Sequence, residues 1–347
     1  MSPQPRLRSL GVAVPPHILD QAEIRKCAAS LFGDRHDIAR LLQIFENAGI
    51  RRRYSCVPIE WYAEPHGWRD RTETYVDNAV SLLEKVALTC LRDAGLASDA
   101  IDAIVVVSTT GIATPSLDAL LVERLQLRRD IRRLPIFGLG CAGGVTGLAR
   151  AAEIAKAEPG SNVLFLVVEL CALTFRRDDL DKSNLVATAL FGDGAAGAII
   201  SCEGDGPRLT AAGEYTWPDS LDIMGWDVKE DGLKPRFLRS IPALVENDMA
   251  NIAASFLKKH DLRLRDIDGF ACHPGGARVL DALEAAFGLE AGALVESREV
   301  LRDYGNMSAA TALFVLARMN WREKTRRTLL SALGPGFSAS FVLIEGG

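Results

Sequence analysis

The sequence predicts an α/β protein of two duplicated halves, each of βαβαβ type with a further antiparallel strand. The halves stack as helix, sheet, helix, sheet and helix. Three observations predict this. Largely apolar runs of strand length, AIVVVS (103–108) and NVLFLVVE (162–169), alternate with segments of helical period, as buried parallel strands and their crossovers do. The second half repeats the first: Ser108 and His273 stand 165 residues apart, as do Cys141 and Asn306, and as do 162–169 and 327–334. Finally, 347 residues with 48% hydrophobic and 24% charged content are enough for a large core.

The remaining totals exclude several classes of function. With 40 basic and 45 acidic residues the net charge is -5, which argues against nucleic acid as a partner. The seven cysteines are dispersed and form no CxxC pair, as expected for reduced thiols in a cytoplasmic protein and not for a disulfide framework or metal site. No apolar run reaches the roughly twenty residues needed to cross a bilayer, and the N-terminal residues carry no apolar signal core.

Taken in order, residues 20–32 and 37–48 read as helices and lead to the basic run Arg51, Arg52, Arg53. That run is either a solvated surface or a grip on phosphate. Residues 71–94 read as a long amphipathic helix, since Val76, Ala79, Val80, Leu83, Val86, Ala87 and Cys90 fall on one face and Gly95 stands at the C-cap. The strand 103–108, a helix at 117–125, and a strand, turn and helix over 134–157 follow. After the strand 162–169 the chain turns more polar until LFGDG, and strands at 195–202 and 208–215 close the first half, residues 1–215. The second half, 216–347, opens with an irregular stretch to 239, either a loop or a pair of ribbon strands. A helix to about 259 follows, and then the repeated units. The closing strands, 195–200 and 338–343, stand only 143 residues apart, so the first half carries 22 extra residues after its middle strand.

The stretch LPIFGLGCAGGVTGLARAAEIAKA presents Cys141 at a helix entrance, where first-turn N–H groups and the helix dipole favour a thiolate. Taken alone, Cys141 is equally well an ordinary buried hydrophobe. The duplication decides between these. Loops at equivalent strand ends of related halves meet at one place, and those loops carry Cys141, His273 and Asn306, the first and last each after a glycine. His17, His36, His66 and His260 read as surface or structural. Cysteine, histidine and asparagine serve hydrolases of papain type. They equally serve acyl transfer with carbon–carbon bond formation. There the histidine keeps the thiolate, and histidine and asparagine together hold the enolate left when a malonyl unit loses carbon dioxide.

At these residues the chain resembles the thiolase-fold condensing enzymes, most closely the type III polyketide synthases of the chalcone synthase group. The matching pieces are GCAGG (140–144), LFGDGAA (190–196), ACHPGG (271–276), DYGNMSAA (303–310) and GPGFSAS (334–340). They run in order from about residue 50 to the end of the chain. DYGNMS is shared with ketoacyl synthases that start fatty acids; HPGG with the terminal GPG is more specific.

The resemblance implies a homodimer that loads an acyl-CoA starter on Cys141, extends it with malonyl-CoA and cyclises the product, with no carrier domain, metal or redox cofactor. It implies Cys141 as nucleophile, His273 and Asn306 as the decarboxylation and oxyanion pair, and Phe191 as a gatekeeper ring. It further implies Thr109, Thr110, Thr114, Cys171 and Thr174 as cavity lining, and Arg51 as a cation at the CoA entrance. Trp226 stands where chalcone synthases have glycine, Pro235 where they have an aromatic residue, and Thr114 where plant enzymes have methionine. The cavity is therefore reshaped. MGWDVKEDGL resembles bacterial members that make alkylpyrones or alkylresorcinols from fatty acyl starters. The alternatives are an initiating enzyme of the ketoacyl synthase III kind served by acyl carrier protein, a hydrolase, and a scaffolding subunit without activity.

Overall fold

The computed structural model describes residues 3–31, 38–179, 181–323 and 326–346. The chain opens with β1 (Arg6–Ala13), β2 (His17–Asp20), α1 (Gln21–Leu31), α2 (Ile38–Asn47), β3 (Arg52–Ser55) and α3 (Trp68–Ala94). Then come β4 (Ala103–Val107), α4 (Leu117–Arg124), β5 (Arg132–Ile136), α5 (Gly143–Ala157), β6 (Asn162–Leu170), α6 (Lys182–Leu190) and β7 (Asp193–Ser201). The second half runs through β8 (Arg208–Thr216), β9 (Met224–Lys229), β10 (Gly232–Phe237), α7 (Ile241–Lys258), β11 (Gly269–Cys272) and α8 (Ala277–Phe287). It ends with α9 (Val295–Tyr304), α10 (Thr311–Arg318), β12 (Arg327–Gly334) and β13 (Ser338–Glu345). The expected helix ends at Phe32 and Asp37, and His36, lie outside the described residues.

The strands form one nine-stranded sheet in the order β11, β12, β13, β8, β1, β7, β6, β4, β5. β4 is parallel to β5 and β6, β7 and β1 follow antiparallel, and β11 is parallel to β12. β8, expected to close the first half, pairs along its length with β13 and meets β1 only at Arg6 and Arg208. This pairing, which hydropathy does not reveal, joins β8 to the closing strand of the second half. The expected strand at 266–276 shrinks to β11, because His273 and the glycines after it leave the ladder. The stretch 216–239 contains a hairpin, β9 with β10.

The five layers follow from the packing. α5 rests on β4, β6 and β7 on one side and on β8, β12 and β13 on the other, and α10 touches β1, β7, β11 and β12. Both are buried almost all round, and so are rich in small and apolar residues. α3 and α4 cover the outer face of the first half and α7 and α8 that of the second. The extra residues of the first half become the turn at 171–174 and α6, which together carry Phe191 to the centre of the molecule.

The two central helices bring the site together. A Cβ at Gly144 would sit inside the van der Waals envelope of the Ala309 carbonyl oxygen, so the turn bearing Cys141 and the turn following Asn306 touch at backbone distance. Gly144→Ala is expected to lower stability by about 3 kcal/mol, because a main-chain oxygen cannot step aside as a side chain can. Denaturant titration checks this; a loss under about 0.5 kcal/mol would show that the approach is not needed.

Candidate active site

Each functional side chain stands where a regular element ends. Cys141 lies in a tight turn between β5 and α5; its neighbour Gly140 has φ +47 and donates its N–H to Thr109 Oγ1 at 3.1 Å. His273 follows β11, and its N–H still bonds the Ser331 carbonyl at 2.8 Å. Asn306 follows α9 through Gly305, which has φ +70, a conformation glycine adopts without penalty. The Asn306 N–H bonds the Leu190 carbonyl at 2.7 Å, and its carbonyl accepts from the Gly192 N–H at 3.0 Å, so Phe191 is locked beside it. The Asn306 amide is aimed by the Ser308 N–H on Oδ1 at 2.8 Å and the Gly275 carbonyl at Nδ2 at 3.3 Å.

Cys141, Phe191, His273 and Asn306 line one cavity of about 640 Å³. Lys182, Arg239 and Arg278, all exposed, line it too and make its outer part cationic. Phe191 contacts Phe237 edge to face at 5.7 Å and Trp226 at 5.8 Å. Cys171 and Thr174 are buried and line an adjoining apolar recess instead. Thr109 and Thr110 are buried and serve as scaffold: their N–H groups and the Thr110 hydroxyl hold Glu169 at 3.1, 3.0 and 2.8 Å.

Two expected positions fall elsewhere. Arg51 pairs with Asp303 at 3.2 Å and is not part of the cavity lining. Thr114 is exposed and does not line the cavity of its own chain, because the turn after β4 carries it outward. The basic run is not a uniformly solvated surface either. β3 alternates, so Arg53 points inward and is fully buried while its neighbour Arg52 is half-buried; Arg51 precedes the strand and is exposed.

Burial also changes the expected charge state. It pushes the Cys141 thiol up to about 12, with the nearby Glu169 carboxylate adding to the rise, against hydrogen bonds from Ser308 and Asn306. Burial pushes His273 down to about 3, and neither ring nitrogen has a partner among the described residues. Burial thus opposes both the thiolate that the helix dipole favours and a charged imidazole.

Glu169, which the sequence reading passed over, is the one charged side chain in the otherwise apolar β6, and that contrast was its signal. Burial raises it from 4.5 to about 7, against hydrogen bonds from Thr109, Thr110 and the Ala309 backbone. Between these values the folded state binds more protons than the unfolded chain, so the carboxyl lowers stability as pH rises through that window. Glu169→Gln is therefore expected to gain melting temperature over the parent at about pH 8 relative to about pH 5, the coupling being on the order of 3 kcal/mol. An equal difference at both pH values would contradict the raised value.

The description for chalcone and stilbene synthases, N-terminal domain, matches residues 4–204, and that for their C-terminal domain matches residues 208–346. The chain belongs to the chalcone and stilbene synthase family. It is 37% identical to a 1,3,6,8-tetrahydroxynaphthalene synthase of Streptomyces peucetius subsp. caesius, over 96% of this chain and 91% of that one. The crystal structure of the Streptomyces coelicolor enzyme of that name, a bacterial type III polyketide synthase, superposes with TM-score 0.94 at 33% identity, over 98% and 99% of the two chains. PKS-I of the brown alga Ectocarpus siliculosus superposes at 0.92 with 26% identity, over 99% and 98%. This chalcone synthase relative is therefore a type III polyketide synthase, an acyltransferase of the condensing kind with a thiolase-like fold. The carrier-protein-dependent initiator is not supported. Among the described residues no helix is long and apolar enough to cross a membrane.

Proposed function

We propose that this synthase loads a fatty acyl-CoA on Cys141, extends it repeatedly with malonyl-CoA, and cyclises the product to a pyrone or resorcinol. The observation that carries the starter class is the apolar recess of about 240 Å³ beside the cavity, bounded by Phe191 and Cys171.

Cys141 Sγ attacks the thioester carbonyl as its proton passes to the His273 imidazole, and the departing CoA sulfur takes that proton. Malonyl-CoA then binds and its carboxylate leaves as carbon dioxide. The bonding electrons move onto the thioester oxygen, held by the His273 N–H and the Asn306 Nδ2–H. A neutral imidazole suits this task, since it donates without surrendering its proton. The enolate carbon attacks the acyl carbon, the C–S bond to Cys141 breaks, and a β-ketoacyl-CoA two carbons longer results. Phe191 separates this chamber from the recess, and the cationic outer residues face the phosphates of CoA. So written, the reaction uses CoA thioesters and needs no metal or redox cofactor.

We also assign a homodimer. β5 is an edge strand, and Phe137 (60% exposed), Leu134 and Ile112 leave an apolar face beside exposed Thr114 that a second copy would cover. The seven free thiols fit a cytoplasmic setting.

Mass spectrometry of products from acetyl- to palmitoyl-CoA with malonyl-CoA tests the starter class. Alkylpyrones or alkylresorcinols from medium and long chains are expected. A single product formed from malonyl-CoA alone, whatever starter is added, would replace this reading with that of a tetrahydroxynaphthalene synthase, which the likeness to the Streptomyces enzymes favours.

A further inference from the structure

The turn after Asn306 is bent in a way its residues do not favour. Ser308 has φ +46, in the left-handed region that glycine enters freely and other residues enter at a cost, and it is buried. Its N–H donates to Asn306 Oδ1 at 2.8 Å, and its hydroxyl bonds the Cys141 thiol. Backbone in that region persists only where its surroundings fix it. Here one hydroxyl does much of the fixing.

Thr311 opens α10 and is 0% exposed. Its Oγ1 accepts from the Met307 N–H at 2.9 Å and donates to the Ser308 carbonyl at 2.9 Å. Those two groups flank the Met307 and Ser308 residues, so a single oxygen clamps both ends of the segment. The Met307 N–H shares a peptide unit with the Asn306 carbonyl, which is itself tied to the Gly192 N–H at 3.0 Å. Both poles of that peptide are therefore held. The Ser308 carbonyl also receives the Thr311 N–H. A residue without a hydroxyl at 311 would keep that link and lose the one to Met307.

We propose that Thr311 is a positioning residue for decarboxylation: its hydroxyl holds the turn at Ser308 in the left-handed form and so aims the Asn306 amide at the thioester oxygen of malonyl-CoA. This rests on the reading of Asn306 as a donor to the enolate. The role belongs to the hydroxyl and not to the volume of the side chain. Valine has the shape of threonine with neither its donor nor its acceptor, whereas serine keeps both and lacks only the methyl group.

The test follows malonyl-CoA decarboxylation by carbon dioxide release and acyl loading by the mass of the full chain. The proteins are the parent, Thr311→Val, Thr311→Ser, Asn306→Ala, and Asn306→Ala combined with Thr311→Val. Thr311→Val should lower kcat for decarboxylation about tenfold, the effect of roughly one hydrogen bond lost from a buried group, with KM for malonyl-CoA unchanged. Acyl loading should fall less than about threefold, since the attacking sulfur is untouched. Thr311→Ser should stay within about threefold of the parent in both steps. In the Asn306→Ala background, Thr311→Val should change decarboxylation by less than about twofold, because no amide remains to be aimed. A structural role alone would lower both steps together, by the same factor with or without Asn306. Decarboxylation at the parent rate in a folded Thr311→Val chain, or an equal loss in both backgrounds, overturns the assignment and leaves the role of Asn306 standing. If Thr311→Val does not fold, Thr311→Cys, which keeps a weaker donor and acceptor, replaces it and should show a smaller loss of the same pattern. Asn306→Ala decarboxylating at the parent rate would overturn the role of Asn306 and this assignment with it.

Discussion

Cys141→Ala abolishes chain extension and leaves slow decarboxylation of malonyl-CoA. Extension needs an acyl carbon fixed beside the enolate, and Cys141 is the sulfur in the cavity shared with His273 and Asn306. Without it the enolate still forms, because its two donors are intact, and it collapses to acetyl-CoA by taking a proton. Loss of the nucleophile is expected to cost condensation at least about three orders of magnitude. The assay follows carbon dioxide release and product formation in parallel. Full-length product from the variant would mean that another group carries the chain.

Asn306→Ala separates the two chemical steps. The amide is held by Ser308 and Gly275, so its Nδ2–H points to a fixed spot instead of being shared with solvent. A preorganised donor matters where negative charge develops, and removing one costs about a hundred- to a thousandfold. Decarboxylation should fall by that amount. Acyl loading should fall less than about tenfold, because His273 and the N–H groups of the Cys141 turn remain. Some loss is expected there, since Asn306 also lowers the Cys141 thiol through a hydrogen bond. Equal loss in both steps, in a protein that melts like the parent, would contradict the division of labour.

The grouping of Cys141, His273 and Asn306 was legible because repetition places equivalent turns at equivalent strand ends, and a glycine marks two of those turns. Cys141, His273 and Asn306 line one cavity for that reason. Positions on irregular backbone were not legible in the same way. Arg51 and Arg53 are two residues apart in one basic run, yet one pairs with Asp303 outside the cavity and the other is buried beneath Phe191. What distinguishes them is where β3 begins, since Arg51 lies just before the strand and Arg53 inside it, and a four-residue strand gives too short a pattern to fix that boundary. Thr114 follows its turn outward, which no periodicity reports. A helix entrance, which favours a thiolate at Cys141, is visible in sequence, whereas the burial that opposes it is a property of the packed fold. β8 was legible as a strand but its partner was not, since β13 lies over a hundred residues away.

The central claim is that one acyl carbon sits on Cys141 under His273 and Asn306. The most direct measurement is peptide-level mass spectrometry after incubating the full chain with an acyl-CoA and no malonyl-CoA. One acyl group is expected, on the peptide containing Cys141, retained in Asn306→Ala and lost in Cys141→Ala. An acyl group on Cys171 or any other residue, or no covalent acyl species at all, would contradict it.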